Sequence, residues 1–266
     1  MKLKDIINEL YSDMEPVSDH SEIDRIDFGF KLETLLDSLK TKKKVLLLTC
    51  SNRTKITGVK NETPKSTMLA YKIRDSIKNN TDVVLIEVPD LNIVSCEGNV
   101  SRYDGNSCGV VDAILKDTNK NPSGLHRCWA SLNEKDDELW KITKELFDSD
   151  CVIFFSSVRW GQANMYYQKL IERLTWIENM KSTLEMGNAV ANIDAGFICV
   201  GQNWNGENVV NTQKQVLSFF GFTTPDQLSF NWQYTENPLD ETQESYKKSR
   251  DTFNYVFDLT DRILYK

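Results

Sequence analysis

Histidine is almost missing from this chain. Its 266 residues include only His20 and His126, and neither falls in a loop that calls for a proton shuttle. Ser–His hydrolysis and histidine acid–base catalysis therefore lack their parts. Long apolar runs are missing too. The longest, Cys151 to Phe155, is far short of the ~20 residues that span a bilayer. The N-terminus, Met-Lys-Leu-Lys-Asp, soon turns acidic and does not read as a secretory leader. The six cysteines are irregularly spaced with no C-x-x-C pair, the pattern of reduced thiols in a cytoplasmic protein. Twelve Gly and six Pro are too few for low-complexity or collagen-like chain. Positive charge is in deficit, with 32 Lys and Arg against 39 Asp and Glu, a net charge of −7 and a pI near 5.1. Neither a nucleic-acid backbone nor a membrane is the expected partner.

What is present is an ordinary globular composition, 40% hydrophobic and 27% charged, of a length that suits one large domain. Residues 1–43 read as an N-terminal helical extension. Ile6, Leu10 and Tyr11 come first, then a break at Asp13, Pro16 and Ser18. A second helix follows with Phe28, Leu32, Leu35, Leu36 and Leu39 on one face. From residue 44 to 266, apolar strand-like runs alternate with helical patterns. The strands are expected at 45–48, 83–86, 151–155, 197–200 and 228–232. The helices are expected at about 66–78, 136–149, 163–180, 208–220 and 241–264. Such alternation means a parallel sheet covered on both faces. Five strands point to a doubly wound, flavodoxin-like α/β sheet in three αβα layers, whose ligand crevice lies beyond the carboxyl ends of the central strands. The loops after Cys50, Phe155 and Val200 should build the site. Residues 91–133 break the rhythm and read as an elaborated insertion over the crevice.

Those loops carry consistent chemistry. Residues 51–80 hold Arg53, Lys55, Lys60, Lys65, Lys72, Arg74 and Lys78 against only Glu62 and Asp75. A local basic patch on an acidic chain suits a small anion better than a long polyanion. Ser51, Ser66 and Thr67 offer hydroxyls, Arg53 a charged fork, and a helix opening near Ser66 its amide N–H groups: the parts of a phosphate cradle. An ordinary N-cap at Ser66 or Thr67 with an exposed Arg53 is the competing explanation. Lys65-Ser66-Thr67 imitates the end of a Walker A loop. That motif needs Gly where this chain has Pro64 and Val59, and proline brings no N–H to a phosphate nest. The third strand runs into Ser156-Ser157-Val158-Arg159-Trp160-Gly161, where an aromatic beside a glycine can wall a flat ring. Gly201-Gln202-Asn203-Trp204-Asn205-Gly206 repeats that chemistry.

Taken together, these loops resemble those of the flavodoxin-fold NAD(P)H-dependent FMN reductases, a family that includes quinone reductases and iron–sulfur flavoproteins. The resemblance covers roughly residues 44–200. It implies that Ser51, Arg53, Ser66 and Thr67 hold the FMN phosphate, with Met68 also in the cofactor site. It also implies that Ser157, Val158, Arg159, Trp160, Gly161, Gly201, Asn203 and Trp204 contact ribityl and isoalloxazine. Cys50 stands where the family has Gly, Asn52 where it has Pro, and Arg159 where it has Tyr. About ten extra residues separate Arg53 from Ser66.

The implied function is an FMN-dependent oxidoreductase. A nicotinamide, NADH or NADPH, would deliver hydride to flavin N5, and electrons would pass to a quinone, another flavin or a small electrophile. The flavin then carries the chemistry and no side chain is catalytic. A non-enzymatic FMN-binding electron carrier is the alternative. Cys96, Cys108 and Cys128 lack the compact spacing of an iron–sulfur ligand set, and with His126 they fit no usual zinc spacing, so no metal is expected. Tyr167, Ile171 and Trp176 lie off the main apolar stripe of the 163–180 helix. That second face predicts a homodimer or homotetramer.

Overall fold

The computed structural model describes residues 20–52, 63–99, 107–201 and 205–233. The helices expected near residues 6–11 and over 241–264 lie outside them. Helix α1 (His20–Lys40) leads into β1 (Lys44–Thr49). Then come α2 (Lys65–Ile77), β2 (Asp82–Glu87), the short α3 (Trp129–Asn133) and α4 (Leu139–Leu146). They are followed by β3 (Cys151–Arg159), a two-residue β4 (Gln162–Ala163), α5 (Met165–Ser182), β5 (Asp194–Gly201), α6 (Gly206–Phe220) and β6 (Phe230–Gln233). The parallel sheet runs β2-β1-β3-β5-β6, with β4 folded back antiparallel on the end of β3. This is the expected doubly wound order.

The strands are buried because each alternates its side chains between two apolar layers. Leu46, Leu48, Val152, Phe154, Phe197 and Cys199 join the layer beneath α4, α5 and α6. Val45, Leu47, Ile153, Phe155, Ile198 and Val200 join the layer beneath α1 and α2. In that second layer Leu32, Leu35, Leu36 and Leu39 of α1 are all buried, so this helix shares the core of the sheet. Among the described residues no helix is long and apolar enough to cross a membrane.

Three expectations change. Strand β3 runs four residues past Phe155, because Ser156 and Ser157 keep pairing with Cys199 and Val200 of β5; residues expected in a loop are strand. The described part of the 91–133 segment lies along α5 rather than over the crevice. Arg173 of α5 bonds Val94 O at 2.8 Å, Asn179 bonds Cys108 O, and Trp176 packs against His126 with ring centroids 5.5 Å apart. For the same reason Tyr167, Ile171 and Trp176 are buried within the chain. The second apolar face of this helix is covered by the chain's own insertion and sheet.

Candidate functional site

In this strand order the chain reverses direction between β1 and β3, so the crevice opens beyond their carboxyl ends. There the described candidates converge. Ser51 follows β1 and Ser66 lies in the first turn of α2; their hydroxyls are 2.8 Å apart. Asn164, just before α5, donates its side-chain amide to Ser51 Oγ at 3.2 Å and to Ser157 Oγ at 3.3 Å. Its backbone N–H reaches Ser156 Oγ at 3.3 Å, and its Oδ1 accepts from Tyr167 N at 3.1 Å, capping α5. One side chain thus ties β1, β3 and α5 together.

The donor set suits an anion. Ser51 Oγ already accepts from Asn164, and the Ser51–Ser66 contact uses only one of the pair's two hydroxyl protons. Whichever serine donates, one proton is left to offer. The helix behind it has no side-chain cap. Its ladder begins with Met68 N to Pro64 O at 2.9 Å, so the amides of Ser66 and Thr67 lie outside it at the positive end of the helix dipole. Thr67 is fully buried, and its Oγ1 has no partner. An orphaned hydroxyl in the first turn of an uncapped helix is what a missing oxyanion would leave behind. Pro64 occupies the cap position, so the competing explanation, an ordinary N-cap at Ser66 or Thr67, does not hold.

The second loop is a tight hairpin. Trp160 and Gly161 connect the closing pair Arg159–Gln162, with φ of 50° and 70°, as in a type I′ turn. A left-handed tryptophan is strained, and here the indole is 90% exposed. Asn205, itself left-handed at φ 74°, donates to Gly161 O at 2.9 Å, which joins the third loop to the second. Gly201 lies so close to Val158 that an added Cβ would sit 3.3 Å from that side chain. The structure therefore brings Ser51, Ser66 and Ser157 together through Asn164, and Val158, Gly161 and Gly201 together at the neighbouring strand ends. Arg159 and Trp160 project into solvent, while Met68 packs toward the core beneath α1 and α2. Arg53, Asn203 and Trp204 lie outside the described residues.

Asn164 is the member of this constellation that the sequence reading missed. Its signal was an Asn immediately before an apolar helical pattern, which marks an N-cap but not a bridge. Cys50 and Tyr167, fully buried beneath this end of the sheet, have their acidities suppressed by burial and supply no proton. Among the described residues no group of three His, Cys, Asp or Glu could hold a metal ion.

No protein-family model and no characterised protein sequence matches the chain. Solved structures do. RosB with the bound intermediate 8-demethyl-8-formylriboflavin-5'-phosphate is 14% identical, with a TM-score of 0.53 over 82% of this chain and 75% of that one. An azoreductase from Bacillus anthracis str. Sterne is 12% identical, with a TM-score of 0.47 over 84% and 98%. A flavodoxin from the domain Archaea is 14% identical, with a TM-score of 0.37 over 83% and 98%. The strand order and the likeness to RosB agree on the architecture: the chain is an α/β protein of the flavodoxin-like fold.

Proposed function

We propose that the chain binds FMN at the β1–α2 cradle and acts as an NAD(P)H-dependent oxidoreductase on a quinone, flavin or small electrophile. The observation that carries this is the Ser51–Ser66–Asn164 network, which holds a spare hydroxyl proton beside an uncapped helix start at the switch point of the sheet. RosB holds a riboflavin 5'-phosphate derivative in its crystal structure, which supports a phosphorylated flavin in this fold.

Each residue then has a task. The Ser51–Ser66 pair donates its one spare hydroxyl proton to a phosphate oxygen, and Thr67 Oγ1 gains the partner it lacks. The α2 amides and dipole offset the negative charge, and Arg53 adds a charged fork from the same loop. Asn164 holds Ser51 and Ser157 in register. Trp160 offers its indole face to a flat ring. Bound FMN would supply two-electron chemistry between the nicotinamide and the acceptor.

The test is a visible-light titration of the purified protein with FMN and with riboflavin, followed by rapid mixing with NADH and NADPH. Tight FMN uptake, weaker riboflavin uptake and rapid bleaching by a nicotinamide are expected. A protein that ignores excess FMN would overturn the reading. Slow bleaching by both nicotinamides would reduce it to a carrier.

A further inference from the structure

Away from this crevice, the insertion folds back on itself. Gly109 N donates to Arg127 O at 2.9 Å, and Leu115 N to His126 O at 3.0 Å. Trp129 Nε1 donates to Ser107 O at 3.1 Å, so the Gly109–Arg127 and Ser107–Trp129 contacts on either side of the two cysteines hold Cys108 beside Cys128. The Cys108 thiol hydrogen-bonds the Cys128 sulfur, and Arg173 Nη2 stands 3.6 Å from Cys128 Sγ. That guanidinium is held on α5 by Asp137, through Nη1 at 2.8 Å and Nη2 at 2.9 Å, and by Ser131 Oγ at 2.9 Å.

The other buried thiols stand in a different environment. Cys151 and Cys199 lie in the sheet and Cys50 just past β1, where burial pushes each thiol up, Cys199 to about 12. Such cysteines are inert. Cys128 is pulled below the usual thiol range, by the Cys108 hydrogen bond first and then by Arg173 and the Ser131 amide, against the cost of burial. Cys108 is pushed the other way, with Cys96 adding to the effect.

We propose that Cys128 and Cys108 form a peroxide-responsive dithiol–disulfide couple, Cys128 attacking and Cys108 resolving. The Cys128 thiolate attacks one oxygen of hydrogen peroxide and the O–O bond breaks. The departing oxygen takes up a proton and leaves as water, and Cys128 becomes a sulfenic acid. The Cys108 sulfur then attacks the Cys128 sulfur and displaces its hydroxyl, which leaves as a second water with the Cys108 proton. Two thiols are oxidised by two electrons and one peroxide is reduced. Cys108 and Cys128 are 6% and 3% exposed, which favours a small oxidant over a bulky one.

The test treats the full chain with hydrogen peroxide, blocks the remaining thiols and maps tryptic peptides. The expected result is one cross-link joining the peptides of Cys108 and Cys128, lighter by two hydrogens and reversed by dithiothreitol. In Cys108→Ser, dimedone should trap a sulfenic acid at Cys128. In Cys128→Ser, oxidation of Cys108 should be at least about tenfold slower. Survival of both thiols while Cys96 oxidises, or a cross-link through Cys96, would overturn the assignment. The cross-link reports on the pair in the wild-type chain, so the result stands whether or not the protein takes up FMN.

Discussion

Asn164 joins two ends of the sheet across 113 residues of sequence: its amide donates to Ser51 Oγ at 3.2 Å while its Oδ1 caps the Tyr167 amide at 3.1 Å. Cap and bridge can be separated. Asn164→Ala loses both and should cost about 1–3 kcal/mol, seen as a lower melting temperature. Asn164→Asp keeps the cap and most of the stability but adds negative charge beside the cradle. It should bind FMN at least about tenfold more weakly than wild type, a loss of about 1.4 kcal/mol. Wild-type FMN affinity in Asn164→Asp would place the phosphate elsewhere.

Thr67→Val replaces a buried hydroxyl that has no partner by a methyl group of nearly the same volume. Without ligand the variant should be as stable as wild type or slightly more so, because an unsatisfied polar group costs about 1–3 kcal/mol. FMN affinity should fall about tenfold and riboflavin affinity should hold. Calorimetry of the apo-protein beside FMN and riboflavin titrations measures all three. Parallel loss of both ligands would mean that Thr67 Oγ1 does not meet the phosphate.

Trp160 holds a left-handed turn position that asparagine or glycine fills with less strain. Trp160→Asn should therefore raise stability by about 0.5–1 kcal/mol while weakening flavin binding. The expected signature is a higher melting temperature with a higher FMN dissociation constant. If riboflavin and FMN both bind the variant as they bind wild type, the indole does not cover the ring.

His126 is buried, its Nδ1 is 2.7 Å from Thr143 Oγ1 and its Nε2 has no partner. Burial, with Arg173 acting the same way and Asp137 opposing, lowers its pKa to about 4. Because the unfolded imidazole titrates near 6.5, the unfolded chain binds the proton first as pH drops. Stability from this group is complete above about pH 6.5 and is lost as pH falls toward 4. Between pH 7 and pH 5 the loss should be about 2 kcal/mol. Urea unfolding at the two values should show it in wild type and a flatter response in His126→Gln; equal slopes would refute a neutral, buried imidazole.

Much of the architecture was legible because buried parallel strands leave a direct trace. Val45–Leu48 and Val83–Ile86 are short apolar runs between helical patterns, and both lie within the observed strands β1 and β2. Boundaries were less legible. The helix expected over 136–149 begins only at Leu139, because Glu138 is engaged by the preceding loop: its N–H bonds Asn92 O at 2.8 Å and its carboxylate takes the Asn92 amide at 2.9 Å. The end of β3 was misplaced because Ser156 and Ser157 read as polar loop, whereas pairing with β5 keeps them extended.

By itself the sequence determined the class of fold and the strand ends where chemistry should gather, because period-2 and period-3.6 patterns record which faces are apolar. It also carried the phosphate-cradle residue types after β1. Only the tertiary structure decided what covers each apolar face and which distant polar groups meet. Tyr167, Ile171 and Trp176 signal a second apolar face in sequence, but only the folded chain shows it covered from within. Ser51, Ser66, Ser157 and Asn164 come from four separate segments, and Cys108 and Cys128 meet across twenty residues of chain that no periodicity announces. Such meetings depend on how strands order and loops close, and that information lies in the packing of the whole chain rather than in any local run of residues.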